Sequence, residues 1–436
     1  MALGGGNFIV QNKVLPGTYI NFVSVASASA TLSDRGIATM PLELDWGAEG
    51  GVMEITNADF QKNSAKYFGY DYTSDKLKGL RDLFANITTL YAYRLNSGGV
   101  KAANNFATAK YPGTRGNDLK IVIQANVDEP TNFDCITYLG TEKVDEQTVS
   151  SASDLVDNDF VDFKQNATLV VTASTPLTGG TNGTVSGTAY QTYLDKIESY
   201  TFNVMGVVTT EKTIKSLCAA FCKRMRDEMG VKFQLVVYDY PDADYMGVIS
   251  VKNPCTDTNE SAASLVYWVT GIAAGCAVNK SNQNKVYNGE FTIYSDYTQS
   301  ELIKAIKNGE FTLHGVNDEI RVLDDINTMK TTTDTCGDVF KDNQTIRVID
   351  QIGNDIAVLF ATKYLGVVPN DQAGRTSLWS DIVKHHQQLM QIRAIENFED
   401  SDVVVEQGDT KKAVVVSDAV TVVNAMGKLY MTVSVS

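Results

Sequence analysis

The sequence has little of what histidine chemistry needs: three histidines in 436 residues, His314, His385 and His386. It contains no G-x-S-x-G elbow, no H-E-x-x-H pair and no G-x-x-x-x-G-K-[ST] loop, which removes the usual routes to hydrolase, zinc-peptidase and nucleotide-dependent activity. Six cysteines (135, 218, 222, 255, 276, 336) form no C-x-x-C pair, so neither a zinc site nor a disulfide framework is expected. A basic excess is also missing. The net charge of −15 argues against nucleic acid as a partner, since phosphate binding needs a cationic footprint. No secretion signal is evident at the start, so export is not expected.

What is present is an ordinary globular balance, 43% hydrophobic and 20% charged residues, over a length that calls for several domains. Ser261 to Asn279 is an uncharged run containing Gly271-Ile272-Ala273-Ala274-Gly275, the spacing of a membrane helix-dimer motif. Ser264, Tyr267 and Thr270 dilute it, and a buried helix is expected instead.

Arg35 to Asp45 reads as extended and irregular, with Pro41 inside it. Two helices are expected over Asp59–Phe68 and Lys76–Ile87, with Ser74 capping the second, then a strand at Thr89–Leu95. Strand-like runs dominate the next segment: Leu119–Gln124, Phe133–Leu139 and Ala167–Thr172. From there strands alternate with helices. Phe202–Val208 precedes an amphipathic helix, Glu211–Met229, with Ile214, Leu217, Cys218, Phe221, Met225 and Met229 inward. Strands follow at Lys232–Asp239 and Tyr245–Val251, then a helix at Gln299–Lys307 and strands at Phe311–Val316 and Glu319–Asp325. Helical patterns cover Asp338–Leu365 and Thr376–Asn397.

The expected fold is therefore α/β plus β in several domains. A discontinuous α/β domain (21–96 and 177–334) holds an inserted small β-sandwich or barrel (97–176), and an α+β C-terminal domain (335–436) follows. Gly179-Gly180-Thr181-Asn182-Gly183 fits an interdomain turn better than a phosphate cradle, because Pro176 precedes it and no helix starts at it. No metal site or cofactor is expected.

Both ends of the chain are apolar and strand-like. Phe8, Ile9, Val10 and Tyr19 lie in a first arm (1–20), and Leu429, Tyr430, Met431, Val433 and Val435 in a last one (428–436). Nothing in the sequence covers the outer edge of that final run, and an uncovered edge invites another chain to pair with it. Self-assembly by strand exchange is the reading.

Several stretches together resemble the tail sheath proteins of contractile phages and phage-tail-like particles. They are Pro16-Gly17-Thr18-Tyr19-Ile20-Asn21, Arg35-Gly36-Ile37-Ala38, Tyr111-Pro112-Gly113-Thr114-Arg115-Gly116-Asn117-Asp118-Leu119, Leu177 to Gly183, Asn354-Asp355-Ile356, and Tyr364-Leu365-Gly366-Val367-Val368-Pro369-Asn370. The resemblance implies a non-enzymatic subunit whose α/β domain is subtilisin-like, assembling as hexameric rings stacked helically around a tail tube. Baseplate and tail terminator proteins would be further partners, and the target membrane would be met only indirectly. Assembly would take place in the bacterial host cytoplasm. It also implies a tube-facing helix in the C-terminal domain. Thr376–Asn397 is the candidate, with Lys384 on it and Lys363 and Arg375 nearby as possible tube contacts. An α/β hydrolase and a self-assembling surface protein are the alternatives.

Overall fold

The computed structural model describes residues 32–435. The described chain divides into two compact units, residues 34–353 with 422–435 and residues 32–33 with 354–421.

The first unit begins with β1 (Ile37–Leu42), β2 (Val52–Thr56), α1 (Asn57–Phe68), α2 (Lys78–Phe84) and β3 (Thr89–Arg94). A β module follows: β4 (Ala107–Ala109), β5 (Leu119–Ala125), β6 (Phe133–Leu139), β7 (Glu142–Val149), β8 (Val161–Phe163) and β9 (Thr172–Pro176). After it come α3 (Gly187–Ile197), β10 (Val204–Val207), α4 (Lys212–Asp227), β11 (Gln234–Tyr238), β12 (Val248–Val251), α5 (Leu265–Gly275), α6 (Gln299–Lys307) and β13 (Glu310–Phe311). A hairpin, β14 (Leu313–Val316) and β15 (Glu319–Val322), turns through Asn317 at φ 54°.

Seven strands form one sheet in the order β13-β12-β11-β10-β1-β3-β2, parallel throughout except for β2, which runs antiparallel to β3. Helices cover both faces, so its central strands are apolar runs rather than alternating ones. Along β11, Leu235 and Val237 enter a core shared with α3 and α4, while Val236 enters the opposite core with α1, α2 and α5.

Residues 35–45 differ from the expectation. β1 is a central strand, not an irregular segment. Pro41 is tolerated because β10 pairs only with Ala38 and Thr39, so the missing N–H falls past the central ladder. On α4, Met229 is 57% exposed rather than inward, because the helix stops at Asp227 and its periodicity stops with it.

The uncharged run folds as α5, with Leu265, Trp268, Val269 and Ile272 buried, as the sequence suggested. No helix among the described residues is long and apolar enough to cross a membrane. Its two glycines serve close packing within the chain. A Cβ on Gly275 would stand 1.8 Å from the Asn86 carbonyl oxygen, and one on Gly271 2.8 Å from that of Leu83.

In the β module, β7-β6-β5-β9 form an antiparallel sheet and β4 pairs with β8. Its core holds Ile121, Ile123, Leu139, Phe160 and Leu177. It also takes in Trp46, whose ring stacks on Phe160 at 6.3 Å and meets Tyr111 edge-on at 5.3 Å. The strand expected at Ala167–Thr172 is absent; Ala167 and Leu169 pack on this core from a loop, and the strand begins at Thr172. The chain enters and leaves side by side. Gly99 has room only for hydrogen, a Cβ there lying 2.2 Å from the Thr181 carbonyl oxygen.

α7 (Asn343–Leu359) crosses the division between units after Gly353. In the second unit a π-helical turn (Phe360–Tyr364) follows it, then α8 (Gln372–Gln391), β16 (Ile395–Glu396), β17 (Val403–Gln407) and β18 (Val414–Asp418). α8 starts four residues before the expected Thr376 because the Asp371 carboxylate caps it, accepting from the Gly374 N–H at 2.8 Å. It also ends earlier than Asn397, with Arg393 and Asn397 in left-handed conformations.

Candidate assembly interface

β17 and β18 pair antiparallel from Val403↔Asp418 to Gln407↔Val414. This two-stranded sheet packs on α8: Val403 is buried, and its carbonyl accepts from the Trp379 indole N–H at 2.9 Å. The outward residues are apolar all the same, with Val415 at 51% exposure and Val404 and Val416 also exposed. Among the described residues the hairpin pairs with no further strand, and a two-stranded sheet by itself is marginal and leaves main-chain edges to be paired. Beside it a cleft of about 590 Å³ is lined by Phe360, Tyr364, Leu365, Val367, Arg375 and Val414. Leu365 and Val367 are exposed as well. The sequence signal for this surface was the run Val403-Val404-Val405, whose lack of alternation puts valine on both faces.

In the first unit, the Gln344 side chain holds the tail, donating to the Val423 carbonyl at 3.0 Å and accepting from the Ala425 N–H at 2.9 Å. Beyond that anchor Leu429, Tyr430, Met431, Val433 and Val435 form no strand, and all are more than two-thirds exposed. The strand expected here is not formed among the described residues, where no other strand pairs with this segment. Phe8, Ile9, Val10 and Tyr19 lie outside the described residues.

The three candidate cations differ in their commitments. Lys363 pairs with Asp381 at 2.5 Å, and that hydrogen bond raises the lysine above its ordinary range. Tyr364 donates to the same carboxylate. Arg375 donates from Nη1 to the carbonyl and side-chain oxygens of Asn370, at 3.1 and 3.0 Å. Lys384 is exposed and makes no ion pair among the described residues.

The three histidines sit in two different places. His314 sits on β14, and burial lowers its basicity. His385 and His386 are buried on α8, facing Asp355 and Asp418. Ser33 donates from Oγ to the Asp355 carboxylate, and no nucleophile–base pair is assembled among the described residues. No group of three or more potential metal ligands exists among the described residues. The thiols of Cys218 and Cys222 are pushed up to about 12 by burial, as expected of inert core residues. In the glycine-rich turn, the Gly180 N–H is taken by Asn117 and Asn182 is bound by Asp45 and Thr114. These contacts fit a turn.

Four family models match consecutive parts of the chain. They are the tail sheath protein Gp18 domain III N-terminal region (35–95), the phage tail sheath β-sandwich domain (97–182), its central domain (183–328) and its C-terminal domain (336–436). The sheath tail protein of Desulfitobacterium hafniense superposes with a TM-score of 0.79 at 36% identity, over 90% of this chain and 93% of that one. This chain belongs to the phage tail sheath family.

A sheath tail protein of Listeria innocua is similar at 30% identity and TM-score 0.77, over 89% of this chain and 92% of that one. The phage-like element PBSX protein XkdK of Bacillus subtilis is 28% identical over the whole of both chains. The contracted helical sheath of the anti-feeding prophage shares the fold, with TM-score 0.56 at 13% identity, over 97% of this chain and 99% of that one. The protein is thus a structural subunit of a phage tail or tail-like particle, and its multi-domain α/β architecture with a β-sandwich is that of the sheath fold.

Proposed function

We propose that this subunit polymerises as hexameric rings stacked helically around a tail tube, and that the array contracts to drive the tube through a target envelope. The observation that carries the reading is the pairing of opposites on one chain. Among the described residues, an exposed apolar tail (426–435) has no strand partner, and the hairpin β17–β18 pairs with no further strand and carries exposed valines. Strand addition between copies satisfies both, and repetition over many subunits makes the mesh hard to pull apart. The first arm, with Phe8, Ile9, Val10 and Tyr19, is assigned the same task.

In this reading contraction releases energy stored during assembly, so no nucleotide site is needed. The working division is an arm (1–20), a subtilisin-like α/β domain (21–96 and 177–334), a β insertion (97–176) and a C-terminal domain (335–436). The insertion points outward and α8 towards the tube, with Lys384 the freest of the three candidate cations. Baseplate and terminator proteins cap the array, which assembles in the host cytoplasm.

Negative-stain microscopy of the purified protein tests this. Tubes or rods with six-fold rings are expected, and deletion of residues 1–20 or 428–436 abolishes them while circular dichroism still reports a folded subunit. Monomers alone at high concentration of the intact chain would refute the proposal.

A further inference from the structure

The pentapeptide Asn-Gly-Glu-Phe-Thr occurs twice in the chain, at 288–292 and at 308–312. Asparagine before glycine is open to self-attack, because the glycine nitrogen reaches the side-chain amide with no Cβ in the way. The two copies share every residue on that side, so a difference in their reactivity comes from the fold.

In the second copy the attacking nitrogen is occupied. Gly309 donates its N–H to the Ile306 carbonyl at 3.1 Å where α6 ends, and its backbone is fixed at φ 68°. The remaining pair of this kind, Asn182-Gly183, is clamped at the amide: Oδ1 of Asn182 accepts from the Thr114 N–H at 3.0 Å and Nδ2 donates to Asp45 at 2.8 Å.

The first copy is arranged differently. Asn288 is exposed, and neither it nor Gly289 lies in a helix or strand. The Gly289 N–H has no acceptor among the described residues. Asn288 Oδ1 accepts from the Trp268 indole N–H at 2.9 Å, a donor placed where negative charge develops when the amide carbon is attacked. Asp82, only 3% exposed, stands beside the glycine. Its Oδ1 accepts from the Glu290 N–H at 2.9 Å, while Oδ2 has no partner. A Cβ on Gly289 would lie 2.6 Å from that free oxygen. The Tyr287 hydroxyl closes the loop, donating to the Phe291 carbonyl at 2.9 Å and accepting from its N–H at 3.1 Å.

We propose that this loop promotes its own deamidation at Asn288, with Asp82 as the base. The Gly289 nitrogen bonds to Asn288 Cγ, and its proton passes to Asp82 Oδ2. The Cγ–Nδ2 bond then breaks, and Nδ2 leaves as ammonia carrying that proton. The product is a cyclic succinimide. Water opens it at either carbonyl, leaving aspartate or isoaspartate at position 288 and one more negative charge on the subunit. Nothing is oxidised or reduced, and water is the co-reactant.

Burial pushes Asp82 up to about 6, which makes it a stronger base than an ordinary carboxylate and still leaves it ionised at neutral pH. Glu290 and Tyr287 face it from the loop, and the Glu290 charge acts in the same direction as burial. Lys78 and Arg81 on α2 oppose it, but each is paired at 2.6 Å, with Asp257 and Glu290 respectively. α5, packed on α2, carries no charged residue.

The test is peptide mapping by mass spectrometry of the full-length protein after incubation in ¹⁸O-water, with digestion in mild acid and isoaspartate scored at each site. In the folded protein Asn288 should convert at least about tenfold faster than Asn308, and in urea the two rates should become alike. Asp82→Asn keeps the shape of the side chain and should slow Asn288 at least about tenfold while leaving Asn308 unchanged. The Asn288 rate should rise through pH about 6 and then flatten, whereas that of Asn308 keeps climbing with hydroxide. Four results overturn the proposal: no advantage for Asn288 in the folded chain, an advantage that survives in urea, a parental rate in Asp82→Asn, or an Asn288 rate that climbs with hydroxide throughout. Each is independent of whether the subunit forms a contractile sheath.

Discussion

Gly275→Ala and Gly353→Ala are the same chemical change in two helices, and the structure predicts opposite outcomes. At Gly275, the last residue of α5, a methyl group would stand 1.8 Å from the Asn86 carbonyl oxygen, in backbone that no side-chain rotation can move. Ordinary contact begins at 3.4 Å, so α5 has to back away from α2 by more than an ångström, over a face that buries Leu265, Trp268, Val269 and Ile272. Overpacking of this kind costs about 1–3 kcal/mol, and this site belongs at the upper end because the obstacle is main chain. At Gly353 in α7, the nearest atom is the Lys232 Cγ at 3.5 Å, which is ordinary contact. There alanine stabilises by about 0.5–1 kcal/mol, because glycine loses more backbone freedom on folding. The two variants should thus differ by about 3 kcal/mol, roughly two powers of ten in the folding constant. A chain of two units need not unfold in one step, so urea curves by circular dichroism should be paired with hydrogen exchange of Leu265–Gly275. A Gly275→Ala protein as stable as the parent, with α5 equally protected, would refute the close-packing argument.

Other substitutions probe charge. Asp350→Ala strips both carboxylate bonds, at 2.6 and 2.7 Å, from buried Arg226; a cost of about 3–5 kcal/mol is expected in urea, and the pair Arg226→Met with Asp350→Leu should recover most of it. Asp82 is pushed up to about 6 by burial; its Oδ1 accepts from the Glu290 N–H at 2.9 Å while Oδ2 has no partner. Burial therefore favours the neutral carboxyl in the folded protein more than in the unfolded chain. The stability it contributes is complete below the unfolded value of about 3.9 and is lost as pH rises through about 6. Asp82→Asn should gain about 1–2 kcal/mol over the parent at pH about 7 and nothing at pH about 4, and urea midpoints that run parallel across that range would contradict it. Lys384→Glu should leave the urea midpoint within about 0.5 kcal/mol of the parent, since the side chain is exposed and unpaired among the described residues. Under the tube-facing reading it should lower co-sedimentation with tail tubes.

Much of the secondary structure was legible because its signals are local. The α4 face of Ile214, Cys218, Phe221 and Met225 repeats at helical spacing, and α6 spans Gln299–Lys307 as its pattern indicated. Where the reading of the chain failed, a distant partner had overruled the local cue. Pro41 looked like a strand breaker, yet β10, more than 160 residues away, pairs with β1 only ahead of it. The buried helix at α5 was read correctly from Gly271, Gly275 and their neighbours, but nothing nearby named Leu83 and Asn86 as what those glycines pack against. The surface proposed for assembly was half legible. The apolar tail could be read residue by residue, whereas the exposed valines of β17 and β18 became visible only once the hairpin had a face and α8 had taken the other side.

By itself, then, the sequence determined that the chain is acidic, poor in histidine, and built from alternating strands and helices with apolar ends, since these depend only on composition and short-range periodicity. Tertiary structure alone decided that β1 is central, that Trp46 completes the core of the β module, and that His385 and His386 meet carboxylates on two other elements. Those facts rest on contacts between residues tens to hundreds of positions apart, and the pattern of neighbouring residues does not encode which distant group will arrive.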